Sequence, residues 1–188
     1  TNFRMPDVLT IGLGGGSIVR EQEDGSVTVG PDSVGYQITE KALIFGGDTV
    51  TATDIAVRLG LYDLGDKSKV AGLDEGFARK AMEAICRLVE DALDAMKLSN
   101  EDVDVILVGG GSIILPEKLA GAKSVVKPAH FGTANAIGSA ISKVSGTYEK
   151  LIDYEKVSRE EALAQAKQEA FEMAVAAGAL RETVEIID

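Results

Sequence analysis

Residues 11–17 read "IGLGGGS" and residues 106–112 read "ILVGGGS". Each places three adjacent glycines and a serine directly behind an apolar, strand-like run. Glycine surrenders more backbone freedom on folding than other residues, so three together weaken any regular element. An ordinary turn needs one glycine, or two. A triplet used twice marks places where something must approach the backbone closely.

The sequence around the triplets predicts an α/β arrangement. "DVLTIGLG" (7–14) is β-rich and leads into the first triplet. Asp24-Gly25 then separates two alternating segments, Ser17–Glu21 and Ser26–Gly30, which is a strong hairpin signal. "KALIF" (41–45) reads as a further short strand, ended by Gly46-Gly47. A helix is expected from Thr51 to Leu59, with Gly60 as its left-handed stop. Residues 73–98 repeat apolar side chains at helical spacing: Phe77, Ala81, Ile85, Leu88, Val89, Leu93 and Met96.

"VDVILVGGGS" (103–112) is a continuous apolar run of the kind buried on both faces of a parallel sheet. Pro116 suits a first helical turn, "KSVVKP" a short strand, and residues 132–145 a small-residue helix. Residues 146–157 form a polar joint. Ser158 and Glu161 then fit a capping box that opens a helix to about Ala177, stopped by Gly178, and "ETVEIID" reads as a last strand.

Composition narrows the function classes. The 188 residues are 45% hydrophobic and 26% charged, which is ordinary for a soluble globular chain. A net charge of −11 repels polyphosphate backbones, and no basic stripe offsets it, so nucleic acid is not an expected partner. Trp is absent and aromatics make up 5%, which removes stacking platforms for single strands. The single cysteine, Cys86, allows no intrachain disulfide and no cysteine-rich zinc site. No stretch has the length of apolar sequence needed to cross a bilayer, and no charged-then-apolar leader opens the chain, so a cytoplasmic protein is expected. Thr1 at the start suggests a processed or excised piece of something longer.

The residues behind each triplet decide which phosphate-binding device it can be. A Walker loop ends in Gly-Lys-Ser/Thr, and neither triplet is followed by Lys. A dinucleotide loop needs a third glycine opening a helix; Gly12-x-Gly14-x-x-Ser17 lacks it, and a hairpin comes next. The device left for Gly14, Gly15, Gly16 and Ser17 is a glycine turn whose consecutive N–H groups form an anion-binding nest. A glycine-rich hairpin without a ligand is the alternative. For Gly109, Gly110, Gly111 and Ser112, taken alone, a generic strand–turn–helix reads as well as a ligand loop. As the partner of the first bend, it could let an adenine ring and ribose lie flat on the backbone.

This order of features resembles the second lobe of the actin-like ATPase superfamily, a ribonuclease H-like fold. There the first loop is the second phosphate loop and the later one the adenosine loop. Within it, "IGLGGGSIV", "VGPDSVG", "GGDTVTATDIAVRLG", "ILVGGGS", "PAHFGTANAIGSAIS" and "EEALAQAKQEAFEMAVAAGA" look like the hydantoinase A/oxoprolinase family in order and spacing. The family's "TVTDA" is represented by "TATDIA", which keeps Thr53 and Asp54, while its Pro-Gly-Pro-Ala segment is missing.

The resemblance implies a mixed sheet with an antiparallel hairpin and flanking helices. A nucleotide-binding lobe would cover residues 1–146, and a C-terminal helix and tail residues 147–188. It also implies that an N-terminal lobe carrying the first phosphate loop is missing from this chain, and that a companion hydantoinase B-type subunit is a possible partner.

The implied activity is ATP-dependent hydrolysis of a small cyclic amide, hydantoin or oxoproline in type. Resonance makes the ring carbonyl a poor electrophile; phosphorylating its oxygen turns that oxygen into a leaving group, and water can then open the ring. ATP and Mg²⁺ (or another divalent cation) are the implied cofactors. Asp48, behind Gly46-Gly47, could hold metal-bound water, and Asp48 and Asp54 are the candidate catalytic carboxylates. Helix capping competes for Asp54, since Thr51-x-x-Asp54 fits a helix start. His130, the one histidine, falls at a strand-to-helix transition, where it could satisfy backbone or touch ligand. Two other functions share the architecture: the ATP-binding subunit of a ketone carboxylase, and a nucleotide-gated scaffold of the actin or chaperone kind.

Overall fold

The computed structural model describes residues 7–187. The chain divides into two compact units, Thr1–Asn135 and Ala136–Asp188. In the first unit, strands β1 (Ser17–Glu21) and β2 (Val27–Ser33) form the expected antiparallel hairpin. Gly25 turns it at φ 77°, and the Asp24 carboxylate accepts the Ser26 N–H at 2.9 Å. Val19 and Val29 pair across the hairpin and point into the core.

Helix α1 (Ile38–Lys41) is followed by a tight 3₁₀ turn over Leu43–Phe45, closed by Gly46 in the left-handed region at φ 93°. A strand was expected over 41–45. What prevents it is the Ile44 N–H, which is drawn to the Asp54 carboxylate at 2.7 Å rather than into a ladder. One parallel bridge between Ala42 and Thr49 is the sheet pairing made there.

Helix α2 (Ala52–Arg58) begins with a full capping box between Thr51 and Asp54, and Gly60 follows it at φ 76°. Both features match the expectation from sequence. The long helix α3 (Glu75–Met96) is capped by Asp74, whose carboxylate accepts the Phe77 N–H at 2.8 Å. Its buried stripe of Ala78, Ala81 and Ile85 packs with Ile55, Ala56 and Leu107. Burying an isoleucine of this kind stabilises by about 1.5–3 kcal/mol.

Strands β3 (Val103–Ile106) and β4 (Ala122–Val126) pair in parallel. Burial along β3 alternates, with Ile106 and Val108 exposed and Leu107 buried, so the run is not covered on both faces as its composition suggested. The helical turn of this region also comes earlier than expected. It is a 3₁₀ helix over Gly110–Ile114, ahead of Pro116.

Residues 7–14 form no strand. Their neighbour explains this in part: a Cβ on Gly12 would lie 2.9 Å from the Pro31 Cβ, so the two backbones touch where proline has no N–H to donate.

Helix α4 (Ala134–Ile141) spans the division between the units. In the second unit, α5 (Arg159–Ala176) opens with the predicted Ser158–Glu161 capping box, and Gly178 follows it at φ 107°. Gly146 lies against α5 so closely that a side chain there would overlap the Ala170 carbonyl and the Ala174 backbone. Beyond α5, Arg181–Thr183 form a 3₁₀ turn and residues 184–187 no strand, contrary to the sequence expectation. Here the Arg181 guanidinium is bonded to Glu172 at 2.6 and 3.1 Å and lies 5.0 Å over the Phe171 ring, which folds the tail back on its own helix.

Candidate functional site

The first glycine bend is held from within. Ser17 N–H donates to the Gly14 carbonyl at 3.0 Å, and Gly14 N–H donates to the Ser17 hydroxyl at 2.9 Å. The Gly15 carbonyl accepts twice from Thr53, from its N–H and its hydroxyl, both at 3.0 Å. The Gly16 carbonyl accepts the Val34 N–H at 2.9 Å. The Gly14 carbonyl thus closes the turn, and those of Gly15 and Gly16 are engaged by residues far along the chain.

These peptides are trans, so each N–H points opposite to the carbonyl of the preceding residue. The amides of Gly15 and Gly16 accordingly turn outward, and among the described residues neither has an acceptor. The bend thus leaves two consecutive amides without a partner among the described residues. Ser17 is 2% exposed and is spent closing the turn, so its hydroxyl is not offered to solvent.

The second bend repeats the device. Gly109, at φ 85°, has a conformation that suits glycine, and its carbonyl accepts both the N–H (3.1 Å) and the hydroxyl (2.7 Å) of the buried Ser112. Its own N–H donates to the Phe131 carbonyl at 2.7 Å. A Cβ on Gly110 or Gly111 would meet nothing within 4 Å, so both present bare, exposed backbone. His130, left-handed at φ 65°, turns the chain so that Phe131 reaches Gly109, and its carbonyl accepts from Thr133. Its place is that of a turn residue. The Tyr62 and Phe131 rings meet edge to face, with centroids 6.4 Å apart.

The two bends share an edge. A shallow cleft of about 280 Å³ is lined by Leu13 and Gly14 from one side and by Leu107, Gly111 and Ser112 from the other, with Val89 of α3 among its apolar walls. The structure thus brings Gly14, Gly111 and Ser112 together; Gly15, Gly16, Gly109 and Gly110 adjoin them in sequence.

The two candidate carboxylates differ. Asp48 is exposed, and its one hydrogen-bond partner among the described residues is the Thr49 hydroxyl at 2.9 Å. Asp54 is fully buried: one oxygen accepts the Ile44 N–H, and the other the Thr51 N–H and hydroxyl, each at 2.7 Å. That geometry makes Asp54 a fastener between two loops. Among the described residues no three His, Cys, Asp or Glu side chains cluster as metal ligands. Asp48 by itself is one ligand and not a site. Cys86 is no better as a nucleophile, since burial pushes its thiol up and Glu90 and Glu83 push it further.

Thr53 was visible in the sequence only as part of a helix start. Its grip on Gly15 crosses 38 positions, and only folding reveals it.

Similarity to known proteins bears on what these bends serve. Residues 1–63, about a third of the chain and containing the first bend, Asp48 and α2, match the hydantoinase/oxoprolinase family model. No curated protein matches the chain in sequence. A solved structure, the nucleotide-free acetone carboxylase described under the mechanism of ATP-dependent acetone carboxylation, is similar with a TM-score of 0.67 at 20% identity. The likeness covers 93% of this chain and 31% of that one, so the chain spans under a third of that protein's length. At this identity it speaks for the fold: a mixed α/β lobe consistent with the actin-like ATPase architecture that the hydantoinase/oxoprolinase resemblance implies. No helix among the described residues is long and apolar enough to cross a membrane.

Proposed function

We propose that the chain supplies the ATP-binding lobe of an ATP-dependent enzyme that opens small cyclic amides of the hydantoin or oxoproline type. The observation that carries this is the first bend, with all three carbonyls engaged and the Gly15 and Gly16 amides without an acceptor among the described residues, beside a cleft shared with the second bend. Gly14 to Gly16 hold the polyphosphate, chiefly through the Gly15 and Gly16 amides. Gly109 to Gly111 give the adenosine a flat backbone, and Ser17 and Ser112 keep the two turns closed. Of the carboxylates, exposed Asp48 is the one able to meet a nucleotide-borne cation or water, and Asp54 acts by holding Thr51 and Ile44. Residues 1–146 form the nucleotide lobe and residues 147–188 its C-terminal helix and tail; an N-terminal lobe and a hydantoinase B-type subunit complete the enzyme.

The chemistry is dictated by the stability of the ring. The amide oxygen takes the γ-phosphoryl group of ATP, with ADP as the leaving group, and the ring carbon becomes electrophilic. Water adds to that carbon, the C–N bond breaks with a proton passing to nitrogen, and the acyl phosphate so formed is hydrolysed to carboxylate and phosphate. Such catalysis rests on positioning and on neutralising phosphate charge.

A second reading, ATP-dependent carboxylation of a ketone, is favoured by the acetone carboxylase likeness. Phosphate release by the enzyme that contains this lobe separates the two. Dependence on hydantoin or oxoproline supports ring opening, and dependence on bicarbonate plus ketone supports carboxylation. Release indifferent to all of these favours a nucleotide-gated scaffold and overturns both.

A further inference from the structure

We infer that Thr53 is the positioning residue of the anion cradle, acting through the Gly15 carbonyl. The inference rests on the polyphosphate role proposed for the bend. Three observations converge. The Gly15 carbonyl takes two hydrogen bonds from one residue, the N–H and the hydroxyl of Thr53, each 3.0 Å long. Thr53 is itself fully buried, at the start of α2, and the next residue, Asp54, ties that start to the Leu43–Phe45 turn through Ile44. A Cβ on Gly15 would lie 2.8 Å from the Thr53 hydroxyl oxygen, so the two residues are fitted to each other with no room for a side chain between them.

The consequence comes from the rigidity of the peptide group. The Gly15–Gly16 unit is planar and trans, so fixing its C=O fixes its N–H in the opposite direction. Glycine provides no steric restraint of its own. Two bonds from Thr53 remove the rotation that a single bond would permit, and the Gly16 N–H is aimed outward before any ligand arrives. Pre-aimed donors bind an anion without the cost of ordering the loop at that moment. Thr53 never touches the ligand, and the class of ligand served is a polyphosphate tail.

The test is a titration of the chain with inorganic tripolyphosphate and with ATP, following the Gly15 and Gly16 amides by ¹H–¹⁵N NMR. In the unmodified chain both amides shift on addition of either ligand. Thr53→Val removes the hydroxyl at nearly constant shape and weakens binding by about tenfold, because the Gly16 donor is no longer held in line with the anion. Thr53→Ser restores it to within about twofold. If Thr53→Val does not fold, Thr53→Ala, which adds no bulk, decides by the same measure. Amides of the unmodified chain that ignore both ligands refute the cradle itself. Amides that respond, with an affinity indifferent to Thr53→Val or Thr53→Ala, refute the role of Thr53 alone. Equal loss in Thr53→Val and Thr53→Ser also refutes it, since the hydroxyl would then not be the active feature.

Discussion

Adding one methyl group at Gly15 tests the packing of the first bend without any ligand. In Gly15→Ala the new Cβ meets the Thr53 hydroxyl oxygen at 2.8 Å, closer than side chains tolerate, and its next neighbour, the Ile38 Cδ1, is at 3.8 Å in ordinary contact. Relief requires Thr53 to rotate, which breaks its hydroxyl bond to the Gly15 carbonyl. Because Thr53 is buried, the displaced hydroxyl loses its partner at a cost of about 1–3 kcal/mol. Against this, Ala lowers the entropy of the unfolded chain and recovers about 0.4–1 kcal/mol. The net expectation is destabilisation of about 1 kcal/mol, at most about 2.6 kcal/mol, or about 2–4 °C in melting temperature at the central value.

Two companions sharpen the result. At Gly14 a Cβ meets nothing within 4 Å and φ is not left-handed, so Gly14→Ala is neutral or slightly stabilising. In the double variant Gly15→Ala/Thr53→Ala the obstructing oxygen is gone, so the two changes cost less together than the sum of each alone. Calorimetry or urea denaturation of five chains (unmodified, Gly14→Ala, Gly15→Ala, Thr53→Ala and the double variant) measures all of this. A Gly15→Ala chain as stable as the Gly14→Ala chain, or a strictly additive double variant, refutes the interlock.

Asp54→Asn keeps the shape but turns an amide NH₂ against donors that the carboxylate accepts from, Ile44 N–H on one side and Thr51 on the other. Urea denaturation should show a loss of about 1–3 kcal/mol; an unchanged midpoint removes its fastening role. The Glu172 carboxyl is held below its ordinary 4.5 by Arg181. A depressed carboxylate stabilises the fold above its unfolded pKa, and that contribution is lost as pH falls through the lower, folded value. Acidification below about pH 4.5 should therefore reduce the helix signal more in the unmodified chain than in Arg181→Ala, by a small amount since the pair is exposed; equal acid sensitivity refutes it. Cys86, half-buried and with its thiol pushed up by burial and two glutamates, should react with a disulfide reagent at pH 8 more slowly than free cysteine and regain the free rate in urea. Fast reaction of the folded chain overturns that placement.

Local chemistry by itself determined much of this protein. The Asp24-Gly25 hairpin, the Thr51–Asp54 and Ser158–Glu161 capping boxes, the left-handed stops at Gly60 and Gly178, and the apolar stripe of α3 are each set within a few residues, where the chain's own side chains and φ angles suffice. The two glycine triplets were legible as bends for the same reason.

Tertiary structure decided what depends on distant partners. β-propensity pointed to strands at 7–14 and 41–45, but a strand exists only if a neighbour accepts its ladder. Pro31 offers no N–H to the first, and Asp54 takes the Ile44 N–H from the second. The direction of the Gly16 amide belongs to the same class. It is set by Thr53 through hydrogen bonds across the fold, whereas the Gly15 amide follows the local bond from Ser17 N–H to the Gly14 carbonyl; the nearness of Gly14 to Gly111 at one cleft is likewise a product of packing. Sequence supplies the donors and the flexible backbone; only the folded chain aims them, because a peptide plane takes its orientation from whatever holds its carbonyl.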